Sequence, residues 1–568
     1  MKDTLIASLS EATGLDKASV RKALTKPPDK SYGDIAFPCF MLSKKYRESP
    51  QKCALRLKDS LPLPAGISSA TPEGPYLNFK FDTERLLSYV IPEILTGRFF
   101  ENLKCKNKGK IIVEYSSPNI AKTFHVGHLR TTLIGHSLVE LLSASGYEVI
   151  SINHLGDWGT QFGFVWAGCQ IWGKPDNPTV DDLVDIYIKA SALKKDQEEG
   201  KASDMPPVDN MAKEYFLRLE QGEKEAVDFW KWCLDISLKY LKGLYSELGI
   251  EFDHYTGESF YRDMVPKIRE KMESKGILEE SEGALGVRLE NPKCFVRIFA
   301  EDGRSLYISR DIAAAIYREE TFHPEKILYV VAAQQSLHFQ QLKGILAKME
   351  EPVAEKIVHV AFGFVPGMKT REGGAISLRK FLDEATEKAL KAYRAGVNKR
   401  PEGLDEGSIA KAVAVGATYF YFLSHTNTKD FHFSWDEALN FQGDSGPYLQ
   451  YAVARINSIE ERAKGEGITI TTCPDFSLLR EDSAHTLAVA LYEFSEAFQK
   501  ACSQYEPYHI ALYLTDLAKT FSKAYRDLKV IGQNNKNLSQ ARLSLISSVK
   551  EVLRFGLKLI GVPVIERM

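Results

Sequence analysis

The chain has 568 residues, of which 44% are hydrophobic and 26% are charged, and its formal net charge is −2. A chain of this length is expected to form about three or four globular domains, and its composition argues against general disorder. The near-neutral charge gives no overall attraction to a polyanion, so a nucleic-acid partner has to be held by local basic patches.

The eight cysteines stand apart, with no C-x-x-C pair among them. This spacing is typical of reduced thiols in a cytosolic protein and argues against a cysteine-rich zinc site. The N-terminal residues do not resemble a signal peptide, and no run of 18 apolar residues occurs. We therefore expect a cytoplasmic protein without a membrane segment and without a resident metal.

Residues 1–104 predict a small α+β domain. Gly14 is placed to end an amphipathic N-terminal helix, and Pro50 is placed to begin a later one. The alternating stretch TPEGPYLNFKFD predicts a strand. The polar stretch ENLKCKNKGK that follows is interpreted as a linker to the next domain.

Residues 105–384 predict a Rossmann-like, doubly wound parallel sheet. IIVEY predicts a buried strand, a helix is expected from Phe124 to Gly146, and YEVISINHLGDWG predicts a second strand. This βαβ unit places ligands at the carboxyl ends of the strands. Residues of about 160–300 are interpreted as insertions, after which KILYVVAAQQ and VHVAFGFV predict further strands of the same sheet.

Residues 385–568 predict an all-α helical bundle, since the apolar positions recur at helical spacing up to the end of the chain. The fold class that we expect is thus α/β: a Rossmann-like catalytic domain with insertions lies between an N-terminal α+β domain and a C-terminal helical bundle.

Two histidines, His125 and His128, follow the first strand of the predicted sheet, with Gly127 between them. Residues three apart at the start of a helix face the same way, and both imidazoles can donate hydrogen bonds to an α-phosphate as charge develops on it. Gly127 allows a base or a ribose to approach the backbone. The alternative is a pair of surface or metal-binding histidines.

The stretch SSPNIAKTFHVGHLRTTLIG resembles the nucleotide-binding signature of class I aminoacyl-tRNA synthetases, in the form found in the arginyl-tRNA synthetase family. Further stretches are similar to that family: GDWGTQFG, SLYISRDIAAA, QQSLHF, WDEALNFQGDSGPYLQYAVARI and GVPVIERM. The resemblance implies an arginine–tRNA ligase in protein synthesis. Its substrates would be ATP, L-arginine and tRNA(Arg), with Mg²⁺ as cofactor, and it would act as a monomer.

The resemblance also implies roles for individual residues. A carboxylate suits the substrate guanidinium because its two oxygens match the guanidinium fork. The family positions for arginine fall on Glu114, Ser116, Asn119, Tyr307, Asp311 and Gln335. The positions for tRNA fall on Asn78, Phe79, Tyr525 and Met568, although strand alternation would equally place Phe79 in the core.

The second class I signature, a loop with two lysines, is altered here to VPGMKTREGG, with Gly367 at the place of the first lysine. The resemblance implies that Met368 contacts ATP and that the catalytic cations are Lys369, Arg371 and, from the first signature loop, Lys122. Two alternatives stay open: another class I synthetase such as the cysteinyl enzyme, and an inactive tRNA-binding paralogue.

Overall fold

The computed structural model describes residues 1–105, 108–201, 204–281, 283–301, 305–366, 376–396 and 403–568. The chain forms two compact units. The first contains Met1–Asn102, Arg455–Glu496 and Asp516–Arg554, and the second contains Leu103–Ala454, Ala497–Thr515 and Phe555–Met568. Over the described ranges, no helix has the length and apolar character needed to cross a membrane.

The N-terminal part of the first unit combines helices with a small antiparallel sheet. Its strands β1 (Ile35–Pro38), β2 (Ile67–Glu73) and β3 (Tyr76–Phe81) lie in the order β1-β3-β2. Its helices are α1 (Lys2–Thr13), α2 (Lys17–Ala23), α3 (Phe40–Tyr46), α4 (Pro50–Ser60), α5 (Thr83–Leu95) and α6 (Arg98–Glu101). Gly14 ends α1 with a left-handed φ of 67°, and Pro50 begins α4, as the sequence predicted.

The second unit is built on a parallel sheet of five strands. They are β4 (Lys110–Glu114), β5 (Glu148–Asn153), β6 (His254–Tyr255), β10 (Lys326–Ala332) and β11 (Ile357–Phe362), and they lie in the order β11-β10-β4-β5-β6. The chain moves outward from β4 to β6 on one side and then returns to β10 on the other. The doubly wound sheet is confirmed, and its switch point lies between β4 and β10, where such sheets bind ligands.

The long connections of the sheet carry further elements. A three-stranded antiparallel meander precedes β10: β7 (Glu279–Ser281), β8 (Ala284–Glu290) and β9 (Lys293–Phe299). The helices before β11 are α7 (Leu129–Ala144), α8 (Gln161–Trp172), α9 (Val180–Glu198), α10 (Val208–Glu220), α11 (Lys224–Glu247), α12 (Glu258–Tyr261), α13 (Val265–Ser274), α14 (Tyr307–Phe322) and α15 (Ser336–Lys348).

The described chain after β11 is helical, as predicted. Its helices are α16 (Leu378–Gly396), α17 (Glu406–Leu423), α18 (Trp435–Ala438), α19 (Gly446–Gly465), α20 (Asp482–Gln504), α21 (Tyr508–Ala524) and α22 (Lys536–Leu559). The stripe expected on the last helix is buried: Leu545, Val549, Val552, Leu553 and Leu557 are all 0% exposed.

One hydrophobic core of the second unit fixes α14 against the sheet. Ile112 of β4 and Ile152 of β5 belong to the same buried cluster as Ile312 and Ile316 of α14, and Leu342 of α15 completes it. Burying such side chains contributes roughly 1.5–3 kcal/mol each. The polar residues on the other positions of α14 are thereby held beside the carboxyl ends of β4 and β10.

Candidate active site

The loop that follows β4 has a strained backbone. Ser116, Ser117 and Ala121 have φ angles of 71°, 48° and 55°, a region that costs a residue with a side chain of order 1–3 kcal/mol. Hydrogen bonds hold this conformation: the Ser116 N–H donates to Thr131 Oγ1 at 3.2 Å, and the Ala121 N–H donates to Ser237 Oγ at 3.3 Å. Strain of this kind is typical of loops shaped for a ligand.

The Ser116 side chain is buried in a chain of polar groups. The Asn153 amide donates to the Tyr245 hydroxyl at 3.0 Å, and this hydroxyl shares a hydrogen bond of 2.7 Å with the Ser116 hydroxyl. Ser116 Oγ also lies 2.9 Å from Thr132 Oγ1, which donates to the His128 carbonyl oxygen at 2.6 Å. The serine predicted for arginine binding thus uses its hydroxyl inside the protein, where it ties the loop to the histidine turn.

The two histidines cap the turn on which they lie. The sequence predicted an α-helix from Phe124, whereas the structure has a 3₁₀ turn at Val126–His128 and begins α7 at Leu129. The cause is a reciprocal pair of hydrogen bonds: the Gly127 N–H donates to His125 Nδ1 at 3.1 Å, and the His125 N–H donates to His128 Nδ1 at 3.4 Å. A Cβ at position 127 would lie 2.7 Å from the His125 ring, so glycine is required there.

Both imidazoles are neutral donors at neutral pH. Burial lowers the pKa of His125, and burial together with the neighbouring His125 ring lowers the pKa of His128 to about 3. Because each Nδ1 accepts a backbone N–H, the ring proton of each neutral imidazole is on Nε2. The rings are 4.1 Å apart, and Phe124 stacks on His128 at 5.0 Å. Two Nε2–H donors are therefore fixed side by side.

The segment that follows the second signature stretch lies against the histidine turn. The Val126 N–H donates to the Ile376 carbonyl at 3.0 Å, and the Leu378 N–H donates to the Phe124 carbonyl at 2.8 Å. The predicted residues of the loop itself lie outside the described residues: Gly367, Met368, Lys369, Thr370 and Arg371. The segment 376–378, more than 200 residues after the histidine turn in the sequence, thus pairs with that turn in the fold.

Two other predicted residues line the strained loop. Lys122 is exposed, three residues before His125. Asn119 is exposed and pairs with Gly156 through an isolated parallel bridge, and its side chain fills the space that a Cβ on Gly156 would need. The GDWG stretch after β5 is therefore packed against this loop, which explains why the sequence has glycine there.

Glu114 ends β4 at the switch point of the sheet, where it lies beside Tyr329 of β10. It is 7% exposed, and its Oε2 is 2.5 Å from Nη1 of Arg318, a residue to which the sequence motifs assign no role. His154 Nδ1 lies 4.0 Å from the same oxygen. The only sequence signal for this pairing was the spacing, because Arg318 follows Asp311 by seven residues on one face of α14.

Helix α14 carries two more of the predicted arginine contacts. Tyr307 and Asp311 share a face, as predicted, and Tyr307 is 66% exposed beneath the Arg310 guanidinium at 4.9 Å. Asp311 Oδ2 lies 2.8 Å from His338 Nε2. Burial opposes its ionisation, but the hydrogen bond from His338 and the nearby cations hold the pKa of Asp311 below its usual value. Asp311 is therefore a carboxylate at neutral pH.

The carboxyl group that pairs with Arg310 of α14, that of Glu258, has a raised pKa, unlike Asp311. Glu258 lies 2.9 Å from Arg310, and both side chains are largely buried. Burial outweighs the attraction of Arg310 and raises the pKa of Glu258 to about 7. Gln335, the remaining predicted arginine contact, is exposed in the turn Ala333–Gln335 that follows β10, at the same edge of the sheet as Glu114.

The comparisons with known proteins decide the family. Three family models match the chain: the arginyl tRNA synthetase N terminal domain over residues 1–81, the class I tRNA synthetase (R) catalytic domain over residues 90–435, and the DALR anticodon binding domain over residues 449–568. The chain belongs to the arginyl-tRNA synthetase family. It is therefore a class I aminoacyl-tRNA synthetase, and the cysteinyl alternative is set aside.

Individual members of the arginyl-tRNA synthetase family are similar to this chain over nearly its full length. The chain is 38% identical to the arginine–tRNA ligase of Halothermothrix orenii over 580 residues, with 100% of this chain and 99% of the relative covered. It is 38% identical to that of Clostridioides difficile, with 98% and 97% covered. The arginyl-tRNA synthetase structure from Thermus thermophilus matches with a TM-score of 0.79 at 26% identity, covering 99% of both chains.

A second structure supports the fold of an arginyl-tRNA synthetase. That of Plasmodium falciparum has a TM-score of 0.81 at 24% identity and covers 100% of this chain and 98% of its own.

The residues predicted to contact tRNA differ in accessibility. Phe79 is 0% exposed and Asn78 is 4% exposed, so the core alternative holds for Phe79 and its ring cannot stack on a base in this structure. Tyr76, two positions earlier on β3, is half-buried. Tyr525 is half-buried beneath the Arg455 guanidinium at 4.3 Å. Met568 is 8% exposed.

Proposed function

We propose that this protein is an arginine–tRNA ligase that works in two steps. ATP and arginine first form arginyl-adenylate and pyrophosphate, and the terminal ribose hydroxyl of tRNA(Arg) then takes the arginyl group and releases AMP. The observation that carries the proposal is the pair of neutral Nε2–H donors on His125 and His128, which lie at the end of the loop that begins after Glu114, the buried carboxylate at the switch point of the sheet.

In the first step a carboxylate oxygen of arginine attacks the α-phosphorus of ATP, and the bond to pyrophosphate breaks. Negative charge develops on the α-phosphate oxygens, and donors that are already fixed stabilise it without reorganisation. We assign this task to His125 and His128. Lys122 with Lys369 and Arg371 would balance the charge of the phosphates, and the backbone near Gly127 and Met368 would contact the nucleotide. No side chain needs to form a covalent intermediate.

The substrate guanidinium would bind between Glu114 and Asp311, with Tyr307 and Gln335 beside it. Two carboxylates that lie at one edge of the sheet suit a cation with five donors. Asn119 would meet the α-amino group of arginine, supported by its exposure in the strained loop. Ser116 would act by fixing that loop, since its hydroxyl already bonds to Tyr245.

The Mg²⁺ that the resemblance implies would be held mainly by ATP. Among the residues that the structure describes, no group of three His, Cys, Asp or Glu side chains could hold a metal ion. Mg²⁺ commonly keeps substrate phosphates and waters as ligands, and there it neutralises phosphate charge.

We propose that the chain has three domains, 1–104, 105–384 and 385–568. The first and the last of them would bind tRNA(Arg). The N-terminal and anticodon-binding family models support this division of labour. Asn78, Tyr525 and Met568 remain our proposed contacts, and the half-buried ring of Tyr76 suits base stacking better than Phe79 does. We propose further that the protein is a cytoplasmic monomer.

The decisive experiment is an aminoacylation assay with purified protein, ATP, Mg²⁺, a total tRNA pool and each labelled amino acid in turn. Charging with arginine alone is expected. The absence of arginine charging with every tRNA supply would reject the proposal and favour the inactive tRNA-binding alternative. Glu114→Gln is expected to raise the KM for arginine at least tenfold with little change in the KM for ATP, because a buried ionic partner is lost.

A further inference from the structure

Among the residues that the structure describes, Arg318 has the only side chain within 3 Å of the Glu114 carboxylate, and it is the most deeply buried arginine near the sheet. Its side chain is 0% exposed, and Nη1 lies 2.5 Å from Glu114 Oε2. Nη2 lies 3.3 Å from His154 Nδ1. The rings of Tyr261 and Tyr329 are 5.7 Å and 5.5 Å from the guanidinium carbon. An arginine is always charged in a protein, so this cation is a permanent part of the core.

The two carboxylate oxygens of Glu114 have different surroundings. The Arg318 and His154 contacts both involve Oε2, and the described residues provide no hydrogen bond to Oε1. The Arg318 side chain is fully buried and packs near the Tyr261 and Tyr329 rings, so it offers Glu114 Oε2 a partner of fixed position. The carboxylate is thereby locked with one oxygen turned toward the protein and one left for a ligand.

The charges at this edge of the sheet then fit one guanidinium. Glu114 and Asp311 contribute two negative charges, and Arg318 contributes one positive charge. The resulting single negative charge is neutralised by one arginine side chain. Without Arg318, the buried Glu114 carboxylate would lose its one close side-chain cation, a state that favours rearrangement of the carboxylate. A rotated carboxylate no longer presents Oε1 to the substrate guanidinium.

We propose that Arg318 is a positioning residue for arginine recognition: it fixes Glu114 as an oriented carboxylate whose Oε1 meets the substrate guanidinium. The proposal rests on the assignment of Glu114 to arginine binding. It goes beyond that assignment because it makes the substrate affinity depend on a residue that cannot touch the substrate.

The test is a double-mutant cycle on the full-length enzyme, with the KM for arginine, the KM for ATP and kcat measured in the aminoacylation assay. Arg318→Met is expected to raise the KM for arginine about tenfold or more while the KM for ATP stays within about twofold. Arg318→Lys keeps the charge without the fork and should recover part of this loss. In the Glu114→Gln background neither change should raise the KM further, because the carboxylate that Arg318 orients is gone.

Arg310→Met is the matched control, because it removes a buried arginine of the same helix that pairs with Glu258 instead. Any effect of Arg310→Met on the KM for arginine should add to the effect of Glu114→Gln. If Arg318→Met folds poorly, the double-mutant cycle is measured with Arg318→Lys in the wild-type and Glu114→Gln backgrounds. An unchanged KM for arginine in the Arg318 variants, or effects that add to Glu114→Gln, would overturn the role of Arg318. If Glu114→Gln itself leaves the KM unchanged, the assignment of Glu114 fails instead.

Discussion

His128 combines a structural and a catalytic task on two different ring nitrogens, and two substitutions separate them. Nδ1 accepts the His125 N–H at 3.4 Å, and Nε2 carries the proton proposed to meet the α-phosphate. The amide oxygen of His128→Asn occupies roughly the place of Nδ1, and the amide nitrogen of His128→Gln occupies roughly the place of Nε2. The first variant keeps the cap, and the second keeps the donor.

The structure sets the size of each effect. Both variants lose the stacking of the ring on Phe124, worth about 0.5–1.5 kcal/mol. Only His128→Gln also loses the capping bond, which at 3.4 Å is expected near the lower end of the usual range, about 0.5–1 kcal/mol. Only His128→Asn loses the donor, and removing one such donor lowers kcat by about 10²–10³-fold. Because burial lowers the pKa of His128 to about 3, neither variant removes a charge at pH 7.5.

The assays are ATP–pyrophosphate exchange in the presence of tRNA and urea unfolding. We expect His128→Asn to be the more stable variant and the less active one, and His128→Gln to show the reverse order. If His128→Asn keeps the wild-type kcat, the Nε2–H donor has no part in the chemistry. If the two variants unfold at the same urea concentration, the reciprocal cap contributes nothing.

Three further outcomes are expected. Lys122→Ala should lower kcat about tenfold with the KM for arginine nearly unchanged, and an unaltered kcat would remove Lys122 from catalysis. Gly135→Ala places a methyl group where it overlaps the Tyr115 side chain, and it should lower the free energy of unfolding by about 1–3 kcal/mol. Gly243→Ala is the control, because its methyl group meets open space and should not destabilise the protein. Burial lowers the pKa of His136 from 6.5 to about 4. The contribution of His136 to the free energy of unfolding is therefore complete above pH 6.5, and about 2–3 kcal/mol of it is lost by pH 4.5. Urea unfolding of the wild type and of His136→Gln measures this contribution, and equal pH dependence of the two proteins would contradict it.

The sequence predicted much of the fold because the elements that matter have strong local signals. The apolar strand before the histidines, the helix that ends before Gly146 and the stripe on α22 each follow from periodicity and capping. The helix start at Phe124 was wrong by five residues, because two side chains cap the turn in a way that spacing alone does not reveal. Phe79 could be placed neither in the core nor on the surface from alternation, and the packing of the small sheet decided it.

By itself, the sequence determined the order of the elements, the identity of the signatures and the family, since these depend on residues that are close together in the chain. Only the tertiary structure decided which of the charged residues meet. Arg318 and Glu114 are 204 positions apart, and their pairing depends on the packing of α14 against the sheet. The same holds for the two neutral imidazoles, because their protonation follows from burial, a property that the fold confers and that no motif contains.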